Sequence, residues 1–154
     1  MRKLIKYLFI FVIIGGLFVL FRFTVEAGNS QMMEPTGGLV EGQLKPCEIK
    51  PNCVSTTHPA NSKEHHIAPM VVTSNPIQKL SGILKEMPGV KILEENESYI
   101  QATHTSELFK FVDDVEFLFL PDSNTLHMRS SSRVGHSDMG ANRERIKSII
   151  SKMD

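Results

Sequence analysis

The sequence predicts an α+β domain: an antiparallel sheet with two helices packed on one face, preceded by an N-terminal hydrophobic helix. Three observations predict it. A stretch without charged or strongly polar residues, Tyr7 to Phe21, lies near the N-terminus. Strand-like runs follow one another from residue 90 to 133, and a single helical stripe lies on either side of them. Consecutive strands, rather than strands alternating with helices, build antiparallel sheets whose helices gather on one face. The chain has 154 residues, 41% of them hydrophobic and 22% charged, which suits one globular core and not two.

Counting from Leu4 to Phe23 gives about the 20 residues that cross a bilayer core. Lys6 and Arg22 stand at its ends, where long side chains reach the headgroups. The run is apolar on every face, which argues against a buried helix of a soluble protein. It also fits a long signal-peptide core, with Val25-Glu26-Ala27 before Gly28 as a small-residue cleavage site. Residues 1–27 are therefore read as a signal anchor or a signal peptide, and both alternatives stand. Arg2, Lys3 and Lys6 precede the run, so the N-terminus stays inside and the rest is exported. In either case the domain is expected on the extracytoplasmic (periplasmic) side, membrane-anchored or secreted.

Residues 28–45 show no periodicity and carry several glycines, the pattern of a flexible tether. The exported domain is read as residues 46–154. Cys47 and Cys53 open it. Two nearby cysteines in an exported chain favour a disulfide, which over so short a loop contributes on the order of 2–3 kcal/mol. Zinc is the alternative, but C-x5-C is not ribbon spacing and no His pair with ligand spacing follows. No metal and no cofactor is expected.

Ile67 to Val72 reads as a short strand. Asn75-Pro76 starts a helix, with Pro76 at its first position, and Ile77, Leu80, Ile83, Leu84 and Met87 form one apolar face before Pro88-Gly89 ends it. Val90–Glu94 and Ser98–Thr105 are strands around Glu95-Asn96-Glu97. Phe111–Leu120 and Thr125–Arg133 form a hairpin across Pro121-Asp122-Ser123-Asn124. Ser137 or Asp138 caps a last helix whose Met139, Ile146, Ile149, Ile150 and Met153 make one stripe.

The hairpin carries the chemistry. Val115, Phe117 and Phe119 share the core face, so Asp114 and Glu116 point away from it; Leu126 and Met128 do the same for Arg129, Ser131 and Arg133. If Leu120 faces Thr125, Glu116 lies opposite Arg129 and Asp114 opposite Ser131. One reading is an exposed cross-strand ion-pair network, worth about 0.2–1 kcal/mol per pair. A second is an anion site where Arg129 and Arg133 converge on Gly135, Ser137 and the N-terminus of the last helix. A third, a divalent cation on Asp113, Asp114 and Glu116, is disfavoured because Asp113 faces away and arginines stand near. Asn142 falls on the apolar stripe and must find partners in the preceding loop. His104 reads as a partly buried strand histidine.

The segments PCEIKPNCVS (46–55), FVDDVEFLF (111–119) and RSSSRVGHSDMGANRER (129–145) are together similar to the bacterial and plastid family labelled domain of unknown function 1499. The resemblance spans roughly residues 44–153. Asp113, Asp114, Glu116, Arg129, Ser130, Ser132, Arg133, Gly135, Ser137, Asp138, Gly140, Asn142 and Arg143 fit its signature, while His136 stands where an aromatic is commoner. It implies no activity, since the family is named for lacking one.

From Gly28 onward 13 basic residues face 16 acidic ones, so nucleic acid is not an expected partner. The expected partners are the membrane, through residues 4–23, and an anionic envelope ligand or a protein. The expectation is an envelope protein, a non-catalytic binding or structural module tethered to the membrane. Its cluster comprises Asp114, Glu116, Arg129, Ser131, Arg133, Ser137, Asp138, Asn142 and Arg143. The alternative is a hydrolase of envelope material with Asp114 or Glu116 as acid or base beside Arg129. No P-loop, nucleophile elbow or H-E-x-x-H motif supports an enzyme.

Overall fold

The computed structural model describes residues 2–153; Met1 and Asp154, the outer limits of the expected segments, lie outside it. One long helix, α1 (Arg2–Met32), precedes an α+β body. A two-stranded hairpin, β1 (Leu39–Val40) and β2 (Gln43–Leu44), follows it, then β3 (Cys53–Ser55), β4 (Met70–Val71) and α2 (Ile77–Glu86). β5 (Val90–Glu95), β6 (Tyr99–Thr105), β7 (Val112–Leu120), β8 (Thr125–Ser132) and α3 (Ala141–Ile150) complete the body. The main sheet runs β3-β8-β7-β6-β5, every pairing antiparallel, and β4 also pairs with β8.

Strand parity builds the core. Val115, Phe117 and Phe119 of β7, Ile100 and Ala102 of β6, and Leu126 and Met128 of β8 all turn to the face covered by α2 and α3. The two helices contribute Leu80, Leu84, Ile146 and Ile149, each at most 4% exposed. A buried Phe or Leu stabilises by about 1.5–3 kcal/mol, so truncating any one member of this stripe-on-sheet contact brings a large loss. Two details of the helices differ from expectation. Pro76 lies just before α2, where Asn75 Oδ1 accepts from Ile77 N at 2.9 Å. Met139 belongs to no stripe: it is fully exposed with φ +53°, ahead of the first helical residue.

The residues expected as a flexible tether do not hang free. The helix continues through Gly28 to Met32, and its end is docked on the body: Val112 N donates to Ser30 Oγ at 3.0 Å and Gln31 Nε2 to Lys110 O at 3.1 Å. Phe23 packs on Phe109 and Phe111 with ring centroids 5.3 and 6.2 Å away. Residues 33–45 then cross the sheet face opposite to α2 and α3, with Leu44 packing on Tyr99 and Leu118. Non-periodic sequence means only that the segment lacks regular structure of its own; here the hydrogen-bonding partners lie about eighty positions away, at Lys110 and Val112.

No residue in the apolar stretch of α1 is buried, although Phe23 at its end touches the body. A helix of this length, apolar and exposed through that stretch, is consistent with membrane anchoring or a signal segment. The Cys47–Cys53 disulfide is closed, with Sγ–Sγ 2.00 Å and Cα–Cα 5.7 Å, in line with an oxidising, extracytoplasmic setting.

Candidate functional site

The hairpin register is the expected one: Leu120 faces Thr125, Glu116 faces Arg129 and Asp114 faces Ser131. The environment is not. Asp114 and Glu116 are 0% exposed and Arg129 2% exposed, because residues 33–45 cover them. The exposed ion-pair network is therefore corrected to a buried one, since the covering segment contributes donors that the hairpin alone does not have.

Each carboxylate is fully engaged. Asp114 Oδ2 accepts from Thr36 N at 2.7 Å and Thr36 Oγ1 at 2.9 Å, while its Oδ1 accepts from Arg133 Nη2 at 2.8 Å. Glu116 Oε1 accepts from Gly38 N at 2.6 Å and Tyr99 Oη at 2.7 Å; Oε2 accepts from Arg129 Nη1 at 2.8 Å. Burial, and then the hydrogen bond and charge of Glu116, push the Tyr99 phenol well above its ordinary pKa, which keeps it a donor. Gly37 explains the close approach: a Cβ there would lie 2.1 Å from Glu116 Oε2.

Arg129 and Arg133 do not converge on the last helix. Parity puts them on the sheet face away from α3, and Arg133 instead grips the end of α1 through the carbonyls of Ser30 and Met33. Among the described residues Arg129 Nε is buried with no hydrogen-bond partner. A cavity of about 170 Å³ opens beside it, lined by Lys45, Lys50, Asn52, Arg129, Ser131 and Arg133, with Glu48 as its single acidic residue. Unpaired buried guanidinium N–H groups are costly, so a cavity of this charge suits an acceptor-rich, negatively charged group.

The opposite face holds a second network. Asp113 receives Arg145 Nη2 at 2.5 Å; Arg145 Nη1 donates to Ser130 Oγ at 3.0 Å. Asn142, 0% exposed, accepts from Ser130 Oγ at 2.6 Å and donates to Asn52 O at 2.9 Å and Ser132 Oγ at 3.0 Å. This satisfies the buried amide, as its stripe position demanded. Asp138 spends both oxygens on Gly140 N and Asn142 N, at 3.0 and 2.7 Å. Arg143 holds the carbonyls of His66, Lys63 and Glu64 at 2.8–3.1 Å, and Ser137 is exposed. A cavity of about 330 Å³ touches this network and includes Glu26, Asp113 and Asp138 against Arg145, the wrong balance for an anion. His104 lines it too, its pKa lowered chiefly by burial and then by Arg145.

The nine cluster residues thus divide. Asp114, Glu116, Arg129, Ser131 and Arg133 come together beneath the covering segment; Ser137, Asp138, Asn142 and Arg143 belong to the helix side. Sequence reasoning missed Arg145, Tyr99 and Thr36. Arg145 was legible, since three positions after Asn142 it shares that helix face. Tyr99 alternates with Ile100 and so had to point toward Glu116. Thr36 carried no signal at all. His58 and His65 were also missed as a pair: their ring centroids are 4.8 Å apart, beside the disulfide.

Residues 43–153 match the model of a family described as "Protein of unknown function (DUF1499)". No curated protein and no solved structure matches the chain.

Proposed function

The chain belongs to this family, DUF1499, and from that premise we propose that it is a membrane-anchored, non-catalytic envelope module that binds a small anionic group. The observation that carries the reading is Arg129 Nε, a buried cationic donor without a partner, in a cavity where four basic residues meet one acidic one. Asp114 and Glu116 neutralise two of those cations, leaving the cavity with an excess of positive charge. Phosphate, sulfate and carboxylate offer the acceptor geometry that guanidinium and ammonium groups recognise.

The hydrolase alternative finds little support in this arrangement. A general acid or base must reach substrate, and both carboxylates are covered on all sides and already bonded to arginine. The anchor reading is favoured over a cleaved signal because Ala27, at the expected cleavage site, is 2% exposed inside a continuous helix docked on the body. The closed disulfide supports an extracytoplasmic domain.

The test is a titration of the full chain in detergent micelles with phosphate, sulfate and acetate, followed by amide resonances. Shifts are expected at Lys45, Asn52, Ser131 and Arg133 at millimolar anion or below. Lys45→Gln and Lys50→Gln, both at exposed residues, should each weaken binding about tenfold by removing a charge-assisted contact. Absence of shifts at millimolar anion, or shifts that both variants leave unchanged, would overturn the reading.

A further inference from the structure

The cysteine segment has histidine neighbours that its sequence spacing concealed. Ligand-capable atoms of Cys47, His58 and His65 all lie within 4.8 Å of one another, and Cys53 Sγ is bonded directly to Cys47. The two imidazoles are held in the same manner. His65 Nδ1 lies 2.9 Å from the Cys53 carbonyl and His58 Nε2 lies 3.4 Å from the Cys47 carbonyl. A carbonyl can only accept, so in the neutral rings those nitrogens carry the hydrogen. His65 Nε2 and His58 Nδ1 are left as lone pairs, and His58 Nδ1 is buried with no hydrogen-bond partner among the described residues. A histidine that donates one N–H to a backbone carbonyl and keeps the other nitrogen free has the orientation of a metal ligand.

The backbone around both histidines is also placed independently of the disulfide. His65 O accepts from Ser55 N at 2.7 Å, and His66 Nδ1 bonds His58 O at 2.7 Å. Arg143 clamps the carbonyls on both sides of His65. Cys53 is fixed by β3, which pairs with β8 at Ser131. Only Cys47 depends on the bond itself, and the residues between the cysteines are mostly exposed, so its sulfur can withdraw from its partner when the bond opens.

We propose that reduction of the Cys47–Cys53 disulfide creates a zinc site formed by Cys47, Cys53, His58 and His65. In the oxidised chain the sulfurs are bonded to each other and are not thiolates, so the four groups cannot act together as ligands. A dithiol reductant transfers two electrons and two protons to the S–S bond, giving two thiols and its own disulfide. Zn2+ then displaces the two thiol protons and binds two thiolates and two neutral imidazoles, with no net change of charge. Zn–S near 2.3 Å and Zn–N near 2.0–2.1 Å set tetrahedral ligand atoms roughly 3.3–3.8 Å apart. That is a small contraction for Cys47, His58 and His65, while the two sulfurs, 2.00 Å apart in the disulfide, separate so that Cys53 Sγ completes the set. The metal then closes the 47–53 loop in place of the disulfide, and that loop supplies Glu48, Lys50 and Cys53 to the wall of the basic cavity.

The experiment uses the full chain in micelles, oxidised or reduced with a phosphine, and Zn2+ titrated against a chromophoric chelator. One Zn2+ per reduced chain is expected, with affinity at least a hundredfold above that of the oxidised chain. His58→Gln and His65→Gln should each lower it at least tenfold, whereas His136→Gln, at an exposed site, should not. Because His65 is buried and its variant can misfold, Co2+ substitution of the unaltered reduced chain provides an independent readout. Thiolate-to-metal charge transfer with tetrahedral d–d bands is expected. Equal binding by oxidised and reduced chains, no binding by the reduced chain, or octahedral Co2+ spectra would each overturn the proposal.

Discussion

Replacing Glu116 by Gln tests whether the ion pair is a buried structural element rather than surface decoration. The side chain keeps its shape, but the amide has one acceptor oxygen where the carboxylate had two. Turned toward Arg129, that oxygen abandons Gly38 N and Tyr99 Oη; turned toward them, it presents N–H groups to a guanidinium. Either way Arg129, 2% exposed, loses its counter-charge. Breaking one half of a buried pair costs about 3–5 kcal/mol, against about 1 kcal/mol or less for an exposed one. With a urea dependence of about 2 kcal/mol per molar, the midpoint should fall by about 1.5–2.5 M. Amide exchange at Gly38 should accelerate before that at Phe117, because the covering segment is released first. Adding Arg129→Met removes the stranded charge and should recover most of the loss. A midpoint shift below 0.5 M with unchanged exchange at Gly38 would refute the reasoning.

Other outcomes follow from the same geometry. Gly37→Ala forces a methyl against Glu116 and should destabilise by about 1–3 kcal/mol, measured by the same denaturation. His104 has a lowered pKa, so between its folded value and the unfolded value of 6.5 the unfolded chain binds more protons. Stability should therefore be fully present above about pH 6.5 and decline as pH falls below it. His104→Gln should shallow that slope, with Arg145 and Asp113 the charged groups facing the ring; an unchanged slope would exclude His104 as its source. A reporter active only outside the cytoplasm, fused after the last residue, should be active, and cytoplasmic activity would end the export assignment.

How much of this was legible depended on whether the signal was local. Side-chain parity in β7 and β8 follows from a period of two, and the Pro121–Asn124 turn set the register, so facing residues were readable. Asn124 adopts φ +48°, which its residue type tolerates. Depth was not readable. Whether Glu116 meets water or Gly38 is decided by a segment 78 positions earlier in the chain that has no periodicity to predict its path. Arg133 is a different case: strand parity puts it on the face away from α3, and nearness in sequence to Gly135 does not bring its side chain to the last helix. The histidine pair was hidden because a ligand set needs proximity in space, and the loop from His58 to His65 folds back on itself.

The docking of α1 fixes distance. From Phe23, where the apolar run ends, to Met32 the helix rises roughly 14 Å at 1.5 Å per residue, and Met33 already lines the basic cavity. A floating domain on a loose leash would sample the depth of the compartment; under the proposed anchoring, this one stands at a set height above the lipid. On that proposal, an anion bound in the cavity is met at the bilayer surface, so the relevant concentration is an amount per membrane area and not per volume.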